Sequence, residues 1–159
     1  MAFVLGMVAA AACDALRRRI PNALNVAIFA GGLLAQAASR GGGGVVDGLA
    51  GAGVGLALLL PLFRAGWIGG GDVKLLVAAG AWLGPMATVW SAVLGLALGG
   101  ILAAAIAVRG GAAFRAEVAA NLVNAALMRR FPSVPRRERA KLVPLAVSLA
   151  AAAVGVYLA

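Results

Sequence analysis

Apolar residues run along this chain in long blocks, and polar residues gather in the gaps between them. The blocks cover positions 2–15, 23–38, 45–63, 72–83, 86–108 and 141–158. A helix crossing a bilayer needs roughly 20 mainly apolar residues, so the pattern predicts an all-α polytopic membrane protein with about six transmembrane helices. The first block is short for a crossing. A helix continued through Arg17 or Arg18, their long side chains reaching the interface, still spans. Ile20-Pro21-Asn22 breaks it, since proline lacks an amide donor and restricts its predecessor. Asn22 is then expected as N-cap of the second helix. Arg40 and Gly41 to Gly44 form a flexible turn, 64–71 a glycine-rich loop, and Gly84-Pro85 ends the fourth helix. Gly51 with Gly55, and Gly95 with Gly99, have the four-residue spacing that lets helix backbones approach. They serve packing within one bundle or between protomers, which leaves a homo-oligomer open.

Composition agrees with lipid as the solvent. Of 159 residues, 64% are hydrophobic and 12% charged, and the mean hydropathy is +1.02. A soluble domain of this size has too little interior to hide that much apolar surface. Alanine, leucine, valine and glycine dominate, which suits packed helices better than a membrane barrel.

The net charge of +9 would suit nucleic acid, but the basic residues form no stripe interleaved with aromatics. With the N-terminus outside, Arg17, Arg18, Arg19, Arg64, Lys74, Arg109, Arg115, Arg129, Arg130, Arg136, Arg137, Arg139 and Lys141 all fall on or beside cytoplasmic loops. Arg40 alone falls opposite. The positive-inside rule accounts for that split, so no nucleic-acid partner is expected, and the charge is ascribed to topology and anionic membrane lipid. The same orientation puts Asp14 and Asp72 toward the cytoplasm. Cys13 is the single cysteine. It excludes an intrachain disulfide and a cysteine-rich zinc site. Although Ala10-Ala11-Ala12-Cys13 resembles a lipidation site, no basic residue precedes the apolar run, so a cleaved signal is not expected.

The gap at about 109–140 is a polar cytoplasmic loop. Within it Phe114, Val118, Leu122, Ala125 and Met128 recur at helical spacing, which predicts an amphipathic helix lying on the leaflet or packed against the bundle.

The chain holds five acids. Glu117 and Glu138 sit among arginines and read as solvated charges. Asp47 fits an N-cap or a helix-dipole role at the outer end of the third helix. Asp14 and Asp72 each lie at the cytoplasmic edge of an apolar helix, where a carboxylate is costly and marks function by default. The plain alternative is ion pairing, Asp14 with Arg17 or Arg18 and Asp72 with Lys74. Gly69-Gly70-Gly71 directly precede Asp72, and glycines let another backbone come near. A phosphate loop is excluded, because no Gly-Lys-Ser/Thr follows and Asp72 would repel phosphate. A dinucleotide fingerprint lacks its third glycine and a soluble βαβ unit.

Ile68-Gly69-Gly70-Gly71-Asp72-Val73-Lys74-Leu75-Leu76 resembles the GxGD signature of the type IV prepilin peptidases. Asp14-Ala15-Leu16-Arg17-Arg18-Arg19-Ile20-Pro21-Asn22 is similar to that family's other motif, a catalytic Asp before a basic stretch and Ile-Pro-Asn. The resemblance covers essentially the whole chain, Val143-Pro144-Leu145-Ala146 included. Presenilin-like and signal-peptide-peptidase-like enzymes share GxGD but carry their first Asp after Tyr, a context absent here. The resemblance implies a single transmembrane peptidase domain over 1–159, with Asp14 and Asp72 catalytic and Gly69, Gly71, Lys74, Pro21 and Asn22 shaping the site. It is nearest the short Tad/Cpa type, without the cysteine-paired methyltransferase region, which implies peptidase activity alone. The implied substrate is a prepilin-like precursor, cut after a glycine between a basic leader and an apolar helix at the bacterial inner membrane.

Two neighbouring carboxylates share a proton, so one acts as base on a water while the other polarises the scissile carbonyl. No cofactor is expected. The chain contains no histidine, which disfavours serine and cysteine triads and a catalytic metal. The competing expectation is a small transporter or channel component in which the two acids relay protons or a cation.

Overall fold

In the computed structural model, residues 1–17, 20–65, 67–109 and 145–159 are described. They form four helical segments: α1 (Ala2–Arg17), α2 (Asn22–Arg64), α3 (Gly70–Arg109) and α4 (Leu145–Leu158), of which α2 and α3 each consist of two arms. Residues 1–98 and 144–159 make one compact unit and 99–143 a second, of which 99–109 are the last turns of α3. The expected amphipathic helix in the polar loop lies outside the described residues, as does the expected start of the last helix at Lys141.

α2 and α3 are 43 and 40 residues long, and both contain stretches apolar and long enough to cross a membrane. Neither is one straight rod. Gly41 has φ 61° and ψ −142°, backbone that an L side chain resists. On an unbroken helix Leu33 and Gly48 would lie about 22 Å apart. Instead a methyl group on Gly48 would stand 3.0 Å from the Leu33 side chain, so α2 doubles back at Gly41. The expected four-glycine turn thus contracts to one residue, and Gly42, Gly43 and Gly44 belong to the returning arm. In α3 the break is at Gly84 (φ 75°, ψ 178°), followed by Pro85. Proline is suited to start the next arm, where its missing donor costs nothing. Ala92 of the second arm joins Val73 and Leu76 of the first in one buried cluster, although a straight helix would set Leu76 and Ala92 about 24 Å apart.

Small residues make the close approaches. Gly48, Gly51 and Gly55 lie along the second arm of α2 against the backbone of Ala81, Gly80, Gly84 and Leu76 in α3. Gly95 meets Leu149 of α4, where a methyl group would come within 2.6 Å of its side chain. Gly51, Gly55 and Gly95 therefore pack within the bundle. The main core joins Phe3, Met7 and Ala10 of α1, Ile28 of α2, Leu75, Ala78 and Ala79 of α3, and Ala146, Ala150 and Ala153 of α4. The Phe3 ring lies 4.7 Å from Tyr157 and 5.5 Å from Trp82. Buried hydroxyls bond within their own helices: Thr88 to Gly84 O at 2.6 Å, Ser91 to Ala87 O and Ser148 to Leu145 O at 2.8 Å each. Leu5, Val8, Val26, Leu34, Trp90 and Ile101 point outward, an apolar exterior that suits lipid.

Two local expectations are corrected. Pro21, not Asn22, occupies the N-cap of α2, and its carbonyl accepts from the amides of Leu24 (3.1 Å) and Asn25 (3.3 Å). Asp47 does not cap the returning arm. It pairs with Arg40 at 3.5 Å in an exposed ion pair, worth about 0–1 kcal/mol.

Candidate active site

Asp72 stands in the first turn of α3, and that turn is closed by reciprocal bonds. The Gly69 carbonyl accepts from the amides of Asp72 (3.2 Å) and Val73 (3.5 Å). In return the Gly69 amide donates to Asp72 Oδ2 at 3.1 Å. The Asp72 carboxylate thus supplies the side-chain half of a capping box, and the bond fixes it at the positive end of the helix dipole. A methyl group on Gly69 would approach Asp72 Oδ2 to 3.1 Å, and one on Gly70 the Phe63 ring to 3.3 Å. Gly71 differs, since a methyl group there would meet only Ile20 at 3.8 Å, ordinary contact.

Asp14 approaches from α1, near the end of that helix, and is half-buried like Asp72. The two carboxylates are near enough for their charges to repel. They are remote along the chain, and antiparallel packing of α1 on the first arm of α3 brings them together. Phe3 against Trp82 marks the far end of that pairing, and Asp14 with Asp72 marks the near end.

Lys74 and Asn22 tie the same end. Lys74 Nζ donates to Asn22 Oδ1 at 2.9 Å, so the expected partner of Asp72 is engaged elsewhere. Freed from capping, the Asn22 side chain joins the segment after Asp14 to the turn that carries Asp72. Pro21 starts α2 and sets Asn22 in its first turn. Of the expected site residues, Asp14, Asp72, Gly69, Gly71, Lys74, Pro21 and Asn22 thus gather at one end of the bundle. Sequence reasoning missed Ile20 and Phe63, which wall the glycine turn, and Asn25, buried one turn after Asn22. The three-residue spacing of two asparagines on an apolar helix was the available signal. No cluster of metal-ligating side chains occurs among the described residues.

The arrangement can bind a water between two acids and present it to an amide carbonyl. No curated protein and no solved structure matches the chain. The sequence pattern of the type IV leader peptidase family does match, over residues 1–108, which takes in both aspartates and the glycine turn. The chain therefore belongs to the type IV leader peptidase family, a family of membrane proteases.

Proposed function

We propose that this protein is a membrane-embedded aspartic endopeptidase that removes the basic leader from type IV prepilin or pilin-like precursors, with Asp14 and Asp72 as its catalytic pair. The observation that carries the reading is that α1 and the first arm of α3, packed antiparallel with Phe3 on Trp82, bring Asp14 and Asp72 to the same end of the bundle. In the reaction, the ionised aspartate takes a proton from water as the water oxygen bonds to the scissile carbonyl carbon. The protonated aspartate hydrogen-bonds to the carbonyl oxygen and stabilises the tetrahedral intermediate. Collapse breaks the C–N bond, and the leaving nitrogen takes up a proton from the pair.

Six crossings support this chemistry: α1, the two arms of α2, the two arms of α3, and α4. The charge distribution favours an N-terminus outside and a multi-pass protein in the bacterial inner membrane, its aspartates facing the cytoplasm. A precursor whose basic leader stays cytoplasmic and whose apolar helix enters the bilayer would present its junction there. Glycines 69 to 71 leave room beside Asp72 for an extended peptide. Membership of a peptidase family weighs against an ion relay.

The test is cleavage of a synthetic precursor, a basic leader joined through glycine to an apolar helix, by the purified protein in detergent. Cleavage should vanish in Asp14→Asn and in Asp72→Asn. Undiminished cleavage in either variant overturns the assignment.

A further inference from the structure

Asn25 is the anomaly of the interior. Only 5% of its surface is exposed, and neither its amide nitrogen nor its carbonyl oxygen has a hydrogen-bond partner among the described residues. Its peers behave differently. Thr88, Ser91 and Ser148 bond carbonyls of their own helices, Trp82 Nε1 donates to Ile28 O at 2.7 Å, and Gln36 Nε2 to Trp82 O at 2.9 Å. Buried polar groups are almost always satisfied, by protein or by water. A buried amide without a protein partner needs an account.

Its position supplies one. Asn22, Asn25, Ile28 and Gly32 recur along α2 at helical spacing and form one stripe. That stripe faces α3 at both ends, through Asn22 to Lys74 and through Gly32 to the backbone of Ala81 and Trp82. The two arms run in the same direction, so stepping back seven residues from Gly32 and from Ala81 or Trp82 puts Asn25 level with Lys74 and Leu75. Asp72 is then two or three residues lower, about 4 Å along the axis. α1 runs the opposite way, with Gly6 against Ile28, which brings Asn25 level with Ala9 and Ala10. Asp14 is about one turn, or 6 Å, below them. Two hydrogen bonds through one water span about 5.5 Å. Along the bundle axis the amide therefore lies within about one turn of both carboxyls, at the level where a bound water would meet them.

We infer that Asn25 is a positioning residue of the peptidase: its side-chain amide holds a water directly above Asp14 and Asp72 and, through that water, aligns the pair. The inference rests on the aspartic-peptidase reading. A bound water of this kind makes two to four bonds to groups otherwise unsatisfied. The amide supplies a donor and an acceptor, and the carboxyls supply the rest. The titratable neighbours at this level are Cys13 and Asp14 from α1 and Asp72 and Lys74 from α3. α4 offers only Tyr157, at the opposite end of the bundle.

The experiment compares wild type, Asn25→Leu and Asn25→Ser for Tm, for kcat and KM on the synthetic precursor, and for the infrared carboxyl bands in H2O and D2O across pH. Asn25→Leu should leave Tm about unchanged, since the amide makes no hydrogen bond to the protein itself. Its kcat should fall about tenfold with KM within about twofold, because the acids lose alignment rather than substrate contact. Asn25→Ser, whose hydroxyl still holds a water, should recover most of kcat. Wild-type kcat in Asn25→Leu overturns the inference, and so does equal loss in Leu and Ser variants. If wild type itself cleaves nothing, the peptidase reading falls, and the infrared titration decides alone. Carboxyl bands shifted by Asn25→Leu sustain the water link, and identical bands end it.

Discussion

Lys74 reaches across from α3 and donates to Asn22 Oδ1 at 2.9 Å, joining the two chain segments that flank the aspartates. The bond is exposed, so solvent screens it and it contributes about 1 kcal/mol or less. Since both residues lie at helix starts rather than in the core, the bond holds relative position more than it holds the fold.

Lys74→Met and Asn22→Leu should each lower kcat about tenfold or more with circular dichroism unchanged. A double mutant should fall little below either single, because one interaction is lost only once. Multiplying losses in the cycle would show that the two side chains act separately.

Asp72 serves both the helix start and the proposed chemistry, and two substitutions separate these. Asp72→Asn keeps an oxygen for the Gly69 amide, so Tm should hold while cleavage drops about a thousandfold or more. Asp72→Ala should lose cleavage and also about 1 kcal/mol of stability. Equal Tm in the two variants would remove the capping box from the account.

Gly69 and Gly71 should part company. Gly69→Ala presses on Asp72 Oδ2 and should impair folding and cleavage together. Gly71→Ala meets only Ile20 at 3.8 Å, so the resting protein should keep its Tm while KM for the precursor rises. Unaltered KM would mean that the peptide does not pass over Gly71.

The glycines of α2 offer a stability contrast. A side chain on Gly51 strikes the backbone of Gly80 and Gly84, whereas Gly53 has open space around it. Gly51→Leu should cost about 1–3 kcal/mol or more. Gly53→Ala should stabilise by about 0.5–1 kcal/mol, as alanine replaces glycine in a helix. Thermal melts in detergent measure both.

The breaks at Ile20-Pro21 and Gly84-Pro85 were legible because proline and glycine act on the local backbone, and the acids stood out because charge is scarce in apolar helices. The Lys74–Asn22 bond spans 52 positions and has no local signature, so Asn22 read as a cap when Pro21 already supplied that turn. The contraction of the Gly41–Gly44 turn was hidden for the opposite reason. Glycine composition announces a turn, but here packing of Gly44 and Gly48 against the preceding arm and α3 keeps three of those residues helical. Asn25 looked like any polar residue near a helix start, because burial is a property of neighbours the sequence does not list side by side.

Gly41 and Gly84 each reverse the chain within a single residue, at the end of the bundle remote from the acids. Arms joined so tightly have no slack there to change their mutual angle. The connections between Arg17 and Asn22 and between Arg64 and Gly70 are longer, and the helix ends that they join lie at the end of the bundle that holds the two carboxyls. The helices are riveted at one end like tweezers, so any parting that admits a foreign helix must widen from the tip that carries the two aspartates.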